Sequence, residues 1–164
     1  MKTIREKPHR LPREHYRGNV TVAFTLCLRP REPLFISAPI VNVFADYLRS
    51  AADKCDVQMI YTFMPEHLHV ISMGRSEESD GLTSIEIFKQ TTGWWLRNRQ
   101  PEVQWQKSFW DRIARSTYEE AQAAWYLVNN PVRRGLVEEW TDYPFTGGIG
   151  LDLKEFLADL LPFP

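Results

Sequence analysis

DVQMIYTF at residues 56–63, MPE at 64–66 and HLHVISM at 67–73 form the stretch that decides the architecture. Both outer segments are rich in β-branched, aromatic and other apolar residues over the length of an ordinary strand. The residues between them, centred on Pro65, leave room only for a tight turn. A hairpin of two antiparallel strands is the expectation.

Upstream, NVTVAFTLCL at 19–28 reads as another strand. Between Pro39 and Lys54, apolar residues fall at Ile40, Val43, Phe44, Tyr47, Leu48 and Ala51. That is helical spacing, with Pro39 suited to a first turn. Downstream, residues 74–81 hold Gly, Ser and acids and read as a loop. A second helix is expected from about Leu82 to Arg97, burying Ile85, Phe88, Trp95 and Leu96. VQWQKSFWDRIA at 103–114 reads as a strand or two short ones. Ser116 and Glu119 make a capping box that opens a third helix, expected to end before Pro131. The order β-α-β-β-α-β-α predicts an α+β fold. Its nearest common form is a ferredoxin-like sandwich, an antiparallel sheet of four to five strands with helices packed on it. No repeat or linker interrupts residues 1–164, read as one domain with a basic N-terminal arm (about 1–18) and a C-terminal extension (about 148–164).

Aromatic residues make up 13% of the chain, enough apolar surface to offset the entropy of folding and exclude disorder. No run approaches the roughly 20 apolar residues of a membrane-spanning helix. No secretory signal is visible, and Cys27 and Cys55 lack CxxC spacing and read as buried free thiols. The expected location is therefore the cytoplasm. The formal net charge of −1 argues against a nucleic-acid partner until the charges are placed. Residues 1–31 carry eight basic and two acidic side chains, and residues 89–115 carry six and two. The acidic excess lies in the other two stretches. Segregated basic blocks can build a phosphate-facing surface on a nearly neutral protein, although a basic arm can also be a solvated tail.

Two of the four histidines, His67 and His69, stand at i and i+2 of a predicted strand and so point to one face. Leu68 and Val70 then face the core. Two imidazoles on one face are either ordinary surface residues or a bidentate platform for a metal ion, which would need a third ligand that spacing cannot reveal. Tyr126 and Asn130 lie at i and i+4 of the third helix, on one side of it and about 6 Å apart along its axis. By themselves they are equally consistent with packing and helix termination.

Taken together, MPEHLHV at 64–70, KSFWDRIARSTYEEAQ at 107–122 and WYLVNNPVRRGLV at 125–137 closely resemble the single-tyrosine HUH transposases of insertion sequences. The opening RLPREHYRGNVTVAF at 10–24 resembles the branch known as REP-associated tyrosine transposases, which act on hairpins of repeated extragenic palindromes. The resemblance covers roughly residues 10–147. It implies that His67 and His69 hold one divalent cation, Mg²⁺ or Mn²⁺, that Asn130 completes the metal site, and that Tyr126 is the nucleophile. Relatives commonly have Asn at the position of Glu66, so a carboxylate beside the histidines is a departure.

The chemistry suits those residue types. Breaking a phosphodiester without water requires a nucleophile that becomes covalently attached and can later be displaced. The resemblance thus implies nicking and strand transfer of single-stranded or hairpin DNA through a 5′-phosphotyrosine, by a monomer or a homodimer. Candidate DNA contacts are Arg10, Arg13 and Arg17 in the arm, with Lys107, Arg112, Arg115, Arg133 and Arg134 around the third helix. Trp94, Trp95, Trp105, Trp110 and Trp125 are either stacking platforms or core, and Asp111 is expected to orient Arg112 or nearby backbone. The alternative is a catalytically silent hairpin-DNA-binding protein. A water-using metal phosphoesterase would need a second histidine motif, which His9 and His15 do not supply.

Overall fold

The computed structural model describes residues 10–160, so the first nine residues of the expected arm and the last four of the extension lie outside it. The strands are β1 (Thr21–Arg29), β2 (Val57–Met64), β3 (His67–Gly74), β4 (Gln104–Trp105), β5 (Trp110–Ile113) and β6 (Thr146–Ile149). The helices are α1 (Ala38–Lys54), α2 (Gly81–Arg99), α3 (Thr117–Arg133) and α4 (Leu153–Asp159). The sheet is antiparallel, in the order β4-β1-β3-β2-β6, with β5 pairing β1 beside β4. This is the α+β, ferredoxin-like arrangement, with 103–114 divided into two short strands and one further strand, β6, at the far edge.

Strand alternation divides the side chains between two faces. Val22, Phe24, Leu26, Leu28, Met59, Phe63, Leu68 and Val70 point to one face and form the main core with α1 and α2. There Phe44 meets Phe35, Phe88, Trp95 and Trp105 with ring centroids 5.1–6.3 Å apart, mostly edge to face. Such pairs each add about 0.5–1.5 kcal/mol beyond the area they bury. Ile60 and Ile71 point to the other face, where Ala124, Leu127 and Val128 of α3 and Leu157 of α4 cover them. The histidines of β3 share that second face, while Leu68 and Val70 are wholly buried in the first. No helix among the described residues is long and apolar enough to cross a membrane. Cys27 and Cys55 are buried and free.

Three local expectations change. Helix α3 does not stop before Pro131 but runs through it to Arg133, and the Arg134 N–H still bonds to the Asn130 carbonyl at 3.0 Å. A proline in the last turn costs the helix little, and Pro131 is buried. The C-terminal stretch supplies β6 and α4. Gly147 and Gly148 have low strand propensity, yet a Cβ on Gly147 would meet the Tyr61 hydroxyl at 2.6 Å, so the absence of side chains permits the pairing with β2. Finally, the end of the arm is not a solvated tail. Tyr16 is wholly buried, and its hydroxyl and Arg10 both bond to the buried carboxylate of Asp111.

Candidate active site

The β1–β3 register places Thr25 opposite His69 and Cys27 opposite His67. His67 Nδ1 lies 3.1 Å from Glu66 Oε1. A carboxylate only accepts, so Nδ1 carries the proton and Nε2 keeps its lone pair. That lone pair points at His69 Nε2, 3.0 Å away, while His69 Nδ1 is 3.0 Å from the Thr25 hydroxyl. From α3, the Asn130 amide reaches within 2.7 Å of the same His69 Nε2. Both ring nitrogens that face inward are thus backed by a hydrogen bond on the opposite side of the ring.

The local electrostatics keep the imidazoles neutral. Burial pushes His69 down to about 3, helped by His67 and the Arg133 charge. Burial also lowers His67, against the pull of Glu66. For Glu66, burial acts to raise the pKa, but the hydrogen bond from Arg134 and the nearness of His67 outweigh it, and the net shift is downward. Glu66 Oε1 also receives Arg134 Nη1 at 2.9 Å and Arg31 Nη2 at 3.5 Å.

These residues fit a divalent cation. Neutral imidazole nitrogens and an amide are a donor set suited to Mn²⁺ or Mg²⁺ completed by water or phosphate oxygen. Adjacent ligands about 2.1 Å from an octahedral cation stand about 3.0 Å apart, the spacing of His67 Nε2 and His69 Nε2. Asn130 presents its Nδ2 to His69 Nε2, and a half-turn of the amide would bring Oδ1, the end such a cation takes, to that position. No group of three His, Cys, Asp or Glu is placed to hold one metal ion among the described residues, so the set depends on Asn130.

Tyr126 lies one turn before Asn130, 57% exposed, with its ring centroid 6.3 Å from that of His69. Beside it, a cavity of about 490 Å³ opens between α3 and the uncovered face of β1 and β5, lined by Ala23, Thr25, His69, Trp110, Arg112 and Tyr126 among others. Alternation sends Trp110 and Arg112 into this cavity and Asp111 to the opposite face. Asp111 therefore does not orient Arg112; it holds Arg10 and Tyr16.

The candidate basic residues separate into two groups. Arg112, Arg133 and Arg134 surround the site, and Arg115 is exposed at the start of α3. Lys107 is exposed in the β4–β5 loop. Arg13 pairs with Glu86 at 2.7 Å and Arg17 with Asp80 at 3.4 Å, both acids belonging to α2 or its cap. With Arg10 on Asp111, the arm's three arginines lie on the face away from the histidines. Of the tryptophans, Trp105 is core and donates to Thr92 at 2.8 Å, Trp95 packs on Phe44, and Trp125 lies against the α3–α4 core. Trp94 is exposed on α2, and Trp110 faces the cavity. Thr25 and Arg31 carry no signal in the sequence that would mark them for the site. Only the strand register and the convergence of distant loops bring them here.

No family model matches the chain. The REP-associated tyrosine transposase of Escherichia coli (strain K12) is 26% identical over 136 residues, covering 82% of this chain and 79% of that protein. A Haemophilus influenzae protein provisionally given the same name is 23% identical over 137 residues, covering 75% and 76%. A solved structure of a REP-associated tyrosine transposase bound to a REP hairpin superposes with a TM-score of 0.72 at 21% identity, covering 94% of this chain and 89% of the other. The chain is a relative of the REP-associated tyrosine transposases in sequence and shares their fold.

Proposed function

We propose that the protein nicks and rejoins single-stranded DNA at hairpins, with Tyr126 as the nucleophile and His67, His69 and Asn130 as ligands of one Mg²⁺ or Mn²⁺. The observation that carries this reading is the convergence of two neutral imidazoles and an amide within 3.0 Å, one helical turn from an exposed tyrosine. When bound, the cation would act as a Lewis acid on the scissile phosphate. The Tyr126 oxygen attacks phosphorus and gives its proton to solvent. The P–O3′ bond breaks, and the departing oxygen takes up a proton to leave a free 3′-hydroxyl. A 5′-phosphotyrosine remains, and attack by a 3′-hydroxyl reverses the step and releases Tyr126. Exchange of one phosphodiester for another needs no external energy source. Arg133 offsets the phosphate charge beside the phenol, while Arg112 and Trp110 offer a charge and a stacking surface to the adjoining nucleotides.

The experiment is incubation with labelled hairpin single-stranded DNA and Mn²⁺, followed by denaturing electrophoresis. An adduct is expected from the parent protein, none from Tyr126→Phe, and none in excess chelator. Retained hairpin binding with no parental adduct would identify a silent DNA-binding protein. An adduct from Tyr126→Phe would place the nucleophile elsewhere.

A further inference from the structure

Glu66 closes a circuit of contacts around the site. Its Oε1 meets His67 Nδ1 at 3.1 Å, His67 Nε2 meets His69 Nε2 at 3.0 Å, and His69 Nε2 meets the Asn130 amide at 2.7 Å. The Asn130 main-chain carbonyl accepts from the Arg134 main-chain N–H at 3.0 Å, and Arg134 Nη1 returns to Glu66 Oε1 at 2.9 Å. The β2–β3 turn, the strand histidines and the last turn of α3 are thereby joined through one carboxylate. Arg31, from the loop after β1, adds a second cationic group at 3.5 Å.

We propose that Glu66 is a positioning residue for both halves of the site: it orients His67 through Nδ1 and clasps Arg134, which holds Asn130 and Tyr126 of α3 over the histidines. The proposal rests on the metal-site reading above. It follows from two general facts. A carboxylate on the far nitrogen of a ligating imidazole fixes its tautomer and raises its basicity, and removing such a partner typically lowers metal affinity about 10–100-fold. A bond to the end of a helix restrains the turn that carries the functional side chains. An amide here could still accept from His67 or Arg134, but without the charge that attracts both arginines.

The test uses the full chain without DNA, comparing the parent with Glu66→Ala and Glu66→Gln after circular dichroism confirms folding. Mn²⁺ binding is measured by calorimetry, His67 tautomer by long-range ¹H–¹⁵N NMR, and amide exchange across residues 130–134. Glu66→Ala is expected to weaken Mn²⁺ binding about 10–100-fold, mix the His67 tautomers and speed exchange in the last turn of α3. Glu66→Gln should fall between Glu66→Ala and the parent. Parental affinity, tautomer and exchange in Glu66→Ala would overturn the proposal. If the parent binds no Mn²⁺, the metal reading fails; altered tautomer and exchange in Glu66→Ala would then still support the positioning role, and unchanged ones would overturn it. Should Glu66→Ala not fold, Glu66→Gln with Arg134→Ala decides by the same readouts.

Discussion

The Arg133 guanidinium lies 3.7 Å from the centroid of the Tyr126 ring, and its Nη2 donates to the Tyr126 backbone carbonyl at 3.1 Å. One cation thus restrains the proposed nucleophile at both its ring and its main chain. Arg133→Ala is expected to slow adduct formation about tenfold or more, equivalent to about 1.4 kcal/mol in the barrier. Arg133→Lys should be intermediate, because it keeps the charge and loses the planar stack. Thermal stability should change little, since exposed cation–π contacts are worth about 0.5–1 kcal/mol. Single-turnover kinetics at saturating hairpin would test this, and parental rates in Arg133→Ala would remove Arg133 from the chemistry.

Acid should destabilise the metal-free protein through the histidine pair. His69 sits at about 3 in the folded chain against 6.5 as its ordinary value, with burial the main cause. Between those values the unfolded chain binds a proton that the folded chain refuses, so stability rises with pH. The contribution is complete above about pH 6.5 and is lost progressively as pH falls towards 3. From pH 7.5 to pH 5 the His69 share is up to about 2 kcal/mol. Urea unfolding at both pH values, for the parent and His69→Asn, isolates it. An equal pH-dependent loss in the two proteins would contradict a neutral, buried His69.

The arm should matter for stability before it matters for DNA. Asp111 is 3% exposed and accepts from Tyr16 and Arg10. Tyr16→Phe keeps the packed ring and removes one bond to a buried charge, an expected cost of about 1–3 kcal/mol. Denaturant midpoints with an unchanged slope would measure it. A cost below about 0.5 kcal/mol would mean that Asp111 does not depend on the arm.

Salt dependence should distinguish the two groups of arginines. Removing one side chain that neutralises a phosphate lowers the slope of log affinity against log salt by roughly 0.7 for a single strand. Arg112→Ala and Arg115→Ala are expected to flatten the slope for hairpin binding by about that amount each. Arg13→Ala and Arg17→Ala should leave it unchanged, because both side chains face α2 and are already paired with Glu86 and Asp80. A flattened slope in Arg13→Ala or Arg17→Ala would extend the DNA path onto the α2 face.

Local periodicity is enough to read β1, α1, the β2–β3 hairpin, α2 and the start of α3. The capping box shows both the strength of that reading and its limit. Ser116 Oγ does accept from the Glu119 N–H at 3.1 Å, but Glu119 reaches back to the Arg115 N–H instead of that of Ser116. Strand β6 is not legible, because glycine-rich TGGI gains its strand only from the open edge of β2. The continuation of α3 through Pro131 is not legible either, since the pre-proline preference that argues for termination is local and the packing around Pro131 is not.

The sequence by itself determined which side chains share a face: His67 with His69 through the two-residue period of a strand, and Tyr126 with Asn130 through the turn of a helix. Those relationships follow from backbone geometry alone. Only the tertiary structure decided that the two faces meet, that Glu66 joins them through Arg134, and that Arg10, Arg13 and Arg17 point away from them. Charge carries no periodicity that records its partner. An arginine's neighbour is set by strand register and helix packing across separations such as the 68 residues between Glu66 and Arg134.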